Sequence, residues 1–419
     1  MKQDKQKHED MNVGALAGVR VIELGNTFAG PACGRLLADF GADVIKVEPP
    51  GGDPVRQMGK FHEGQSLLAT SIQRGKRSIS LDLKKAKARD ILNELIKGAD
   101  VVLENNRPGV MERLGFSYDT MKALNPRLVF LRISGYGQTG PKANEPGYGA
   151  ICDAFAGVRH LTGDPDRAPS RVALPTTDYL TAVYGAFGIA MALFRRNFTG
   201  EGQQVDASLF ESAFSMMEGD VPAYHKLGYV PIRQGPNLPN VAPNSLYPTR
   251  DGYVLIAANN DATFSRLASL VFAGQAIDAK FQSVKDRGDN AAELDALISS
   301  WTSKLSSLEV EQALVDKAVP VSRVNTLKEI FGEPHFAARQ ALLEVTHPKL
   351  GQVKQVGIAP KLSATPGHVR WAGHECGQDT IQILRDELGY DDSFITDLLT
   401  QQVAFTHTQA TQGTMEAMA

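Results

Sequence analysis

Apolar and polar positions alternate in a recurring order along the N-terminal half of the chain. VRVIEL (residues 19–24) is a run of β-branched and aliphatic residues, the pattern of a strand buried on both faces. GNTFAGPACGRLLADFGA follows, a turn and then a helical pattern carrying Leu36, Leu37 and Phe40. DVIKVEPP is a second strand, closed by two prolines. Strand, helix and strand in succession predict a parallel sheet with a right-handed crossover. SISLDL (78–83), ADVVLEN and LVFLRISG supply three more strands. Between them lie a helix over Lys85–Lys97 and a short one, SYDTMKALNP, that stops at its proline. The alternation predicts an α/β domain.

Residues 178–196 form the longest strongly apolar helical pattern, and GQQVDASLFESAFSM then reads as a strand and a helix. Residues 229–250 break the pattern. They are rich in Pro and Asn and read as an extended linker. DGYVLIAAN is a turn and strand that opens a second domain, with helices near 261–272, 292–304 and 308–317. VPVSRVNTLKEIF adds a strand and a helix, and strand-like pieces return from about residue 342. The end of the chain reads as a helix, a Gly-containing turn, a second helix and a disordered tail.

Composition narrows the function classes. Of 419 residues, 42% are apolar and 22% charged, which is ordinary for a globular protein. A formal net charge of −3 gives no basic field for nucleic acid, so any anion site must be a local cluster of Lys and Arg. The three cysteines, Cys33, Cys152 and Cys376, form no CxxC pair, which argues against a zinc site or disulfide framework and fits a reducing cytoplasm. The polar start, MKQDKQKHEDMN, lacks the apolar core of a signal peptide. The apolar run 179–194 falls short of the roughly 20 residues needed to span a bilayer, so no membrane contact is expected.

Five segments can carry chemistry, and each also has a plain structural reading. Small residues in AGPACGRLLADFGADVIKVE (29–48) let a ligand approach a strand-to-helix turn, or serve tight packing alone. This is not GxGxxG, and no Walker lysine follows. Lys76, Arg77 and Lys84 flank a short strand, where cations bind phosphate or form a solvated face. ENNRPGVMERLGF (104–116) brings Arg107 and Arg113 to the end of a strand, where ligands of α/β sheets bind, or is a loop with two surface arginines. The glycines and prolines of SGYGQTGPKANEPGYGA (134–150) make a loop whose N–H groups can face an anion or a thioester oxygen, or a flexible connector. Asp178, in ALPTTDY, is a lone carboxylate at the mouth of the apolar helix, and by local pattern it reads as a helix cap. No GxSxG, HExxH or Cys–His signature is present.

Taken together and in this order, these segments resemble the class III CoA-transferases (the CaiB/BaiF type), the family of formyl-CoA:oxalate and carnitine CoA-transferases. The resemblance rests on residues 18–56, 75–84, 104–116 and 123–141 and on the segment around Asp178. PVSRVNTLKEIFGEPHFAAR (320–339) and LRDELGY extend it to roughly residues 16–400. It implies a large Rossmann-like domain with a parallel sheet, built from both ends of the chain. Long linkers join that domain to a smaller α/β domain, and two chains interlock as a homodimer. On this chain that division becomes a flexible extension (1–15), the N-terminal part of the large domain (16–228), a linker (229–250) and a small domain (251–340). A return segment (341–400) and a tail (401–419) complete it.

The resemblance also implies an enzyme that moves CoA from an acyl-CoA thioester to a free carboxylic acid. Asp178 would be its nucleophile, working through an aspartyl anhydride and an aspartyl-CoA thioester. A weakly solvated carboxylate suits that role. The family's CoA contacts fall on Leu81, Asp82, Leu83 and Lys84, then on Asn105, Asn106, Arg107 and Arg113. Pro146, Gly147, Tyr148 and Gly149 would face the thioester, and Phe28 and Ala29 the pantetheine end. Coenzyme A would be a substrate, with no tightly bound cofactor and no metal.

Two positions depart from formyl-CoA transferase, which has a glutamine where this chain has Phe28 and a glycine run where this chain has PNVAPNSLYPTRDG. Related α-methylacyl-CoA racemases need a histidine where this chain has Tyr148, and a tyrosine of ordinary pKa, about 10, is a poor α-proton base. A racemase or isomerase, or an acyl-CoA-binding subunit of a heteromeric transferase, are the alternatives.

Overall fold

The computed structural model describes residues 14–238 and 241–410. The expected flexible extension lies outside them up to residue 13, as do the last nine residues of the expected tail. The chain divides into two compact units. One comprises the residues up to Val158, Ala173–Gly219 and the residues from Ala337 onward; the other comprises Arg159–Val172 and Asp220–Phe336.

The first unit is built on a central sheet. Its parallel strands are β1 (Arg20–Glu23), β2 (Asp43–Glu48), β3 (Lys76–Leu81), β4 (Val101–Glu104), β5 (Val129–Ser134) and β6 (Gln204–Ser208), in the spatial order 3-2-1-4-5-6. Adjacent residues on each strand face opposite layers. Val21, Val44, Val101 and Val129 join one hydrophobic core, and Ile22, Ile45, Val102 and Phe130 the other. Strands buried on both faces are therefore apolar without alternation. The first core is covered by α1 (Ala29–Asp39), and the second by α2 (Ala86–Lys97) together with the helix Asp392–Thr400. A short helix, α3 (Gly149–Phe155), precedes α4 (Thr176–Thr199), which packs beside α1.

At 24 residues α4 exceeds the helix of 178–196 expected from sequence, and by length and composition it could cross a membrane. Here one face, including Ala182, Gly185, Ile189 and Ala192, is buried on the sheet. Gly185 and Gly188 lie against Leu131 and Val205, where a larger residue would hold the helix off the strands.

The second unit carries an antiparallel sheet of β7 (Asn244–Pro248), β8 (Tyr253–Ala257) and β9 (Val321–Arg323), with β8 central. Helices Asp261–Val271, Ala291–Thr302 and Ser307–Val315 pack on it through Phe264, Leu267, Leu294, Ile298, Val310 and Leu314. β7 falls inside the stretch read as a linker. Its prolines and asparagines flank a strand whose alternate residues, Ser245 and Tyr247, are buried.

The C-terminal segment returns to the first unit. It begins with a hairpin, β10 (Leu342–His347) and β11 (Gly351–Val356). Gln355 Nε2 donates to Thr70 O at 3.0 Å, and Ser78 N donates to Asp379 Oδ2 at 2.7 Å. A two-residue strand, β12 (Ala404–Phe405), then adds antiparallel to β3. It lies within the stretch expected to be a disordered tail. Its polar surroundings hide two residues whose partner, Leu81, is far away in sequence.

Candidate active site

The strand order reverses between β1 and β4. In open α/β sheets ligands bind at the carboxyl ends of the strands at such a reversal. Here the turn Gly25–Phe28 leaves β1, and Asn105 and Asn106 leave β4. The Asn105 amide spans the gap. Its Oδ1 accepts from Asn26 N at 2.6 Å and its Nδ2 donates to Asn26 O at 2.9 Å. Asn105 therefore commits its side chain to holding the turn. Thr27 adopts a left-handed φ of 63°, uncommon for a β-branched residue, and its N–H donates to Asp53 Oδ1 at 2.8 Å.

Beneath the turn lies a layer of buried charge, and Lys76 and Arg77, expected to bind phosphate or to face solvent, are instead buried in ion pairs with Glu23 and Asp43. Lys46 Nζ donates to Gly25 O and pairs with Asp53 at 2.7 Å and Glu23 at 3.0 Å. Lys76 Nζ pairs with Glu23 at 2.8 Å. Burial pushes the Lys76 ammonium down to about 8, with Glu23 opposing. Glu48 accepts from Arg56 Nε and Nη2 at 2.7 and 2.6 Å. Burial works to raise the Glu48 carboxyl, but the Arg56 guanidinium, Lys46 and Ser78 outweigh it and hold it at about 2. The visible signal was slight: single charges, Lys46 and Glu48, inside a strand of otherwise apolar core.

Asp178 approaches this turn from α4. Pro175 occupies the cap position, so Asp178 stands within the first turn and is not the cap that its local pattern suggested. The half-buried carboxylate rests on the backbone of α3. A Cβ on Gly149 would overlap Asp178 Oδ2. The loop from β5 to α3 is equally tight, since a Cβ on Gly135 would sit 2.8 Å from Gly147 Cα. Cys152 Sγ donates to Gly135 O at 3.3 Å. Burial, then the charge of Asp178, pushes its thiol up to about 12, so it is neutral. Tyr179, next to the acid, meets the Phe28 ring edge-on at 5.0 Å. Phe28, Ala29, Gly147, Gly149 and Asp178 thus surround one end of the β1 and β5 strands.

The remaining expected contacts line the same carboxyl edge further out. Leu81 is buried at the end of β3, and Asp82 Oδ1 accepts from Lys84 N at 3.1 Å. β3 stands two strands from β1, about 10 Å across the sheet. Asn106 N donates to Glu104 Oε2 at 2.6 Å. Lys84, Arg107, Arg113, Pro146 and Tyr148 are exposed, Tyr148 at 71%.

Comparison with known proteins favours CoA transfer. The model of "CoA-transferase family III" matches residues 16–380. The chain belongs to CoA-transferase family III. It moves CoA from an acyl-CoA thioester to a free carboxylic acid. It is 42% identical over 394 residues to the succinyl-CoA–D-citramalate CoA-transferase of Chloroflexus aurantiacus, covering 93% of this chain and 98% of that one. The beta subunit of the succinyl-CoA–L-malate CoA-transferase of the same organism is 37% identical, with 93% and 98% covered. A solved CAIB/BAIF family protein from Brucella suis superposes with a TM-score of 0.82 at 33% identity, covering 90% of this chain and all of that one. The family's α/β architecture with a mainly parallel sheet is the one described above.

Proposed function

We propose that Asp178 is the nucleophile of a double-displacement CoA transfer. The observation that carries this reading is the seat of its carboxylate on Gly149, beside the Phe28–Tyr179 contact and the switch-point turn. An Asp178 oxygen attacks the thioester carbonyl carbon. The C–S bond breaks, leaving a mixed anhydride and CoA thiolate. The thiolate attacks Asp178 Cγ, forming an aspartyl-CoA thioester and releasing the donor acid as carboxylate. The acceptor carboxylate attacks Cγ in turn, expelling the thiolate and forming a second anhydride. The thiolate attacks the acceptor's acyl carbon, which yields the new acyl-CoA and restores the Asp178 carboxylate. Apolar packing by Phe28, Tyr179 and α4 limits water, which would hydrolyse both activated species.

Arg107, Arg113 and Lys84 are the cations for the phosphates of CoA, with Leu81, Asp82 and Leu83 at the nucleotide end and Asn106 beside them. The Pro146–Gly149 stretch lies along the thioester, and Phe28 and Ala29 along the pantetheine. The acids named in the two relatives, succinic, citramalic and malic, are all dicarboxylic, and we take a dicarboxylic acid as the substrate class here.

The outer face of α4 exposes Val183, Tyr184, Phe187, Met191, Phe194 and Phe198 at helical spacing, and supports the interlocked homodimer. A relative named as a beta subunit favours a second possibility, assembly with a related chain. Replacing Asp178 by Asn tests the mechanism. Transfer should fall by at least about 10,000-fold with the fold intact, and an Asp178→Asn variant with wild-type turnover would refute it.

A further inference from the structure

Arg35 is the exception among the buried arginines. It is 7% exposed, yet among the described residues it makes no hydrogen bond or ion pair, and its Nε is buried without a partner. Arg74, Arg77, Arg132, Arg196 and Arg287 are also buried, and each pairs with a carboxylate. Asp39, one helical turn beyond Arg35, is taken. Arg74 Nε and Nη2 hold both its oxygens at 2.9 and 2.7 Å. Asp39 attracts the Arg35 guanidinium without bonding to it, and a buried guanidinium, which keeps its proton, is costly without a direct anion partner.

Arg35 packs toward the start of α4. Phe28, Ala32 and Arg35 fall on one stripe of α1 and its cap. Helical side chains lean toward the N-terminus, here toward the turn at Phe28. The Arg35 guanidinium lies 5.8 Å from the centroid of the Tyr179 ring, whose own edge contact is with Phe28 at 5.0 Å. That cation–π approach is at the outer limit of such attractions and leaves the guanidinium's donors available. Tyr179 directly follows Asp178. The charge, the ring and the turn therefore pack together at the start of α4, whose first turn carries Asp178.

We propose that Arg35 receives the second carboxylate of a dicarboxylic acyl group or acid bound at Asp178, and so sets the enzyme's preference for diacids. The inference rests on the role of Asp178 given above. A planar guanidinium matches a carboxylate bidentately, and a site built around a buried cation rejects a substrate that leaves it unpaired.

The test is the first half-reaction, which needs no acceptor: formation of the Asp178–CoA thioester from succinyl-CoA or from butyryl-CoA, which has the same carbon chain without the second carboxylate. Full-length wild type, Arg35→Gln and Arg35→Lys are compared by rapid quench and mass spectrometry. Wild type should prefer succinyl-CoA by about 30-fold or more, Arg35→Gln should lose most of that ratio, and Arg35→Lys should recover part of it. The wild-type preference is read without any variant, so a misfolded variant does not remove the test. A wild type without that preference overturns the inference. So does an equal loss with both donors, or a fall in the oligomeric state of Arg35→Gln, which would place a subunit partner's carboxylate on Arg35. No adduct with either donor in the wild type overturns the Asp178 reading itself, and this inference with it.

Discussion

At the scale of single residues, Gly149 is the position where the acid's placement is most sensitive. A methyl group there would overlap Asp178 Oδ2, and the carboxylate would have to move. Gly149→Ala is expected to lower kcat by about 100-fold, the cost of a misplacement near 1 Å. Its thermal melting should stay close to wild type, since α3 tolerates alanine. Glu48 gives a pH signature of the buried charge layer. Its folded pKa, about 2, lies below the ordinary glutamate value of 4.5. Between those values the unfolded chain binds the proton and the folded chain does not, so stability falls as pH drops from 4.5 to 2. Ionisation of Glu48 among Arg56, Lys46 and Ser78 contributes on the order of 3 kcal/mol above that window, lost progressively within it. Urea unfolding across pH 6 to 3 should show this decline, and Glu48→Gln, less stable at neutral pH, should show a flatter one.

At the scale of elements, the turn after β1 is held from three sides, by Lys46, Asn105 and Asp53. Asn105→Ala removes both bonds to Asn26 and leaves its backbone N–H and C=O without those partners. It should cost about 1–3 kcal/mol of stability and lower kcat/KM for acyl-CoA, read together by thermal melting and steady-state kinetics. Much of this architecture was legible. The strands VRVIEL and LVFLRIS announced themselves because residues buried on both faces leave little polar alternation. Asp178 stood out as a lone acid before an apolar helix, but its local pattern read as a cap, which Pro175 occupies, and only the family resemblance gave it a chemical role. The buried charge layer was not legible. Lys46 and Glu48 look like solvent-facing positions of an ordinary strand until the third dimension brings Glu23, Asp53 and Arg56 beside them. Arg35 is hidden for the same reason, because its lack of a carboxylate depends on Arg74 having taken Asp39. β12 escaped because two residues carry no periodicity, and pairing with β3 alone defines them.

At the scale of the whole molecule, the exposed apolar face of α4 predicts association. Phe194 and Phe198, in edge contact at 5.1 Å, are 66% and 70% exposed. Light scattering at micromolar concentration should report a dimer, and Phe194→Glu should shift it toward monomer with reduced solubility of the wild-type-like fold. Covalent carriage of CoA by one acid can be read chemically. Purified enzyme is incubated with succinyl-CoA alone, trapped with hydroxylamine and mapped by peptide mass spectrometry. A hydroxamate on Asp178, formed only when acyl-CoA is present, is the expected result. A hydroxamate on another residue, or none at all from enzyme that still transfers CoA, would contradict it.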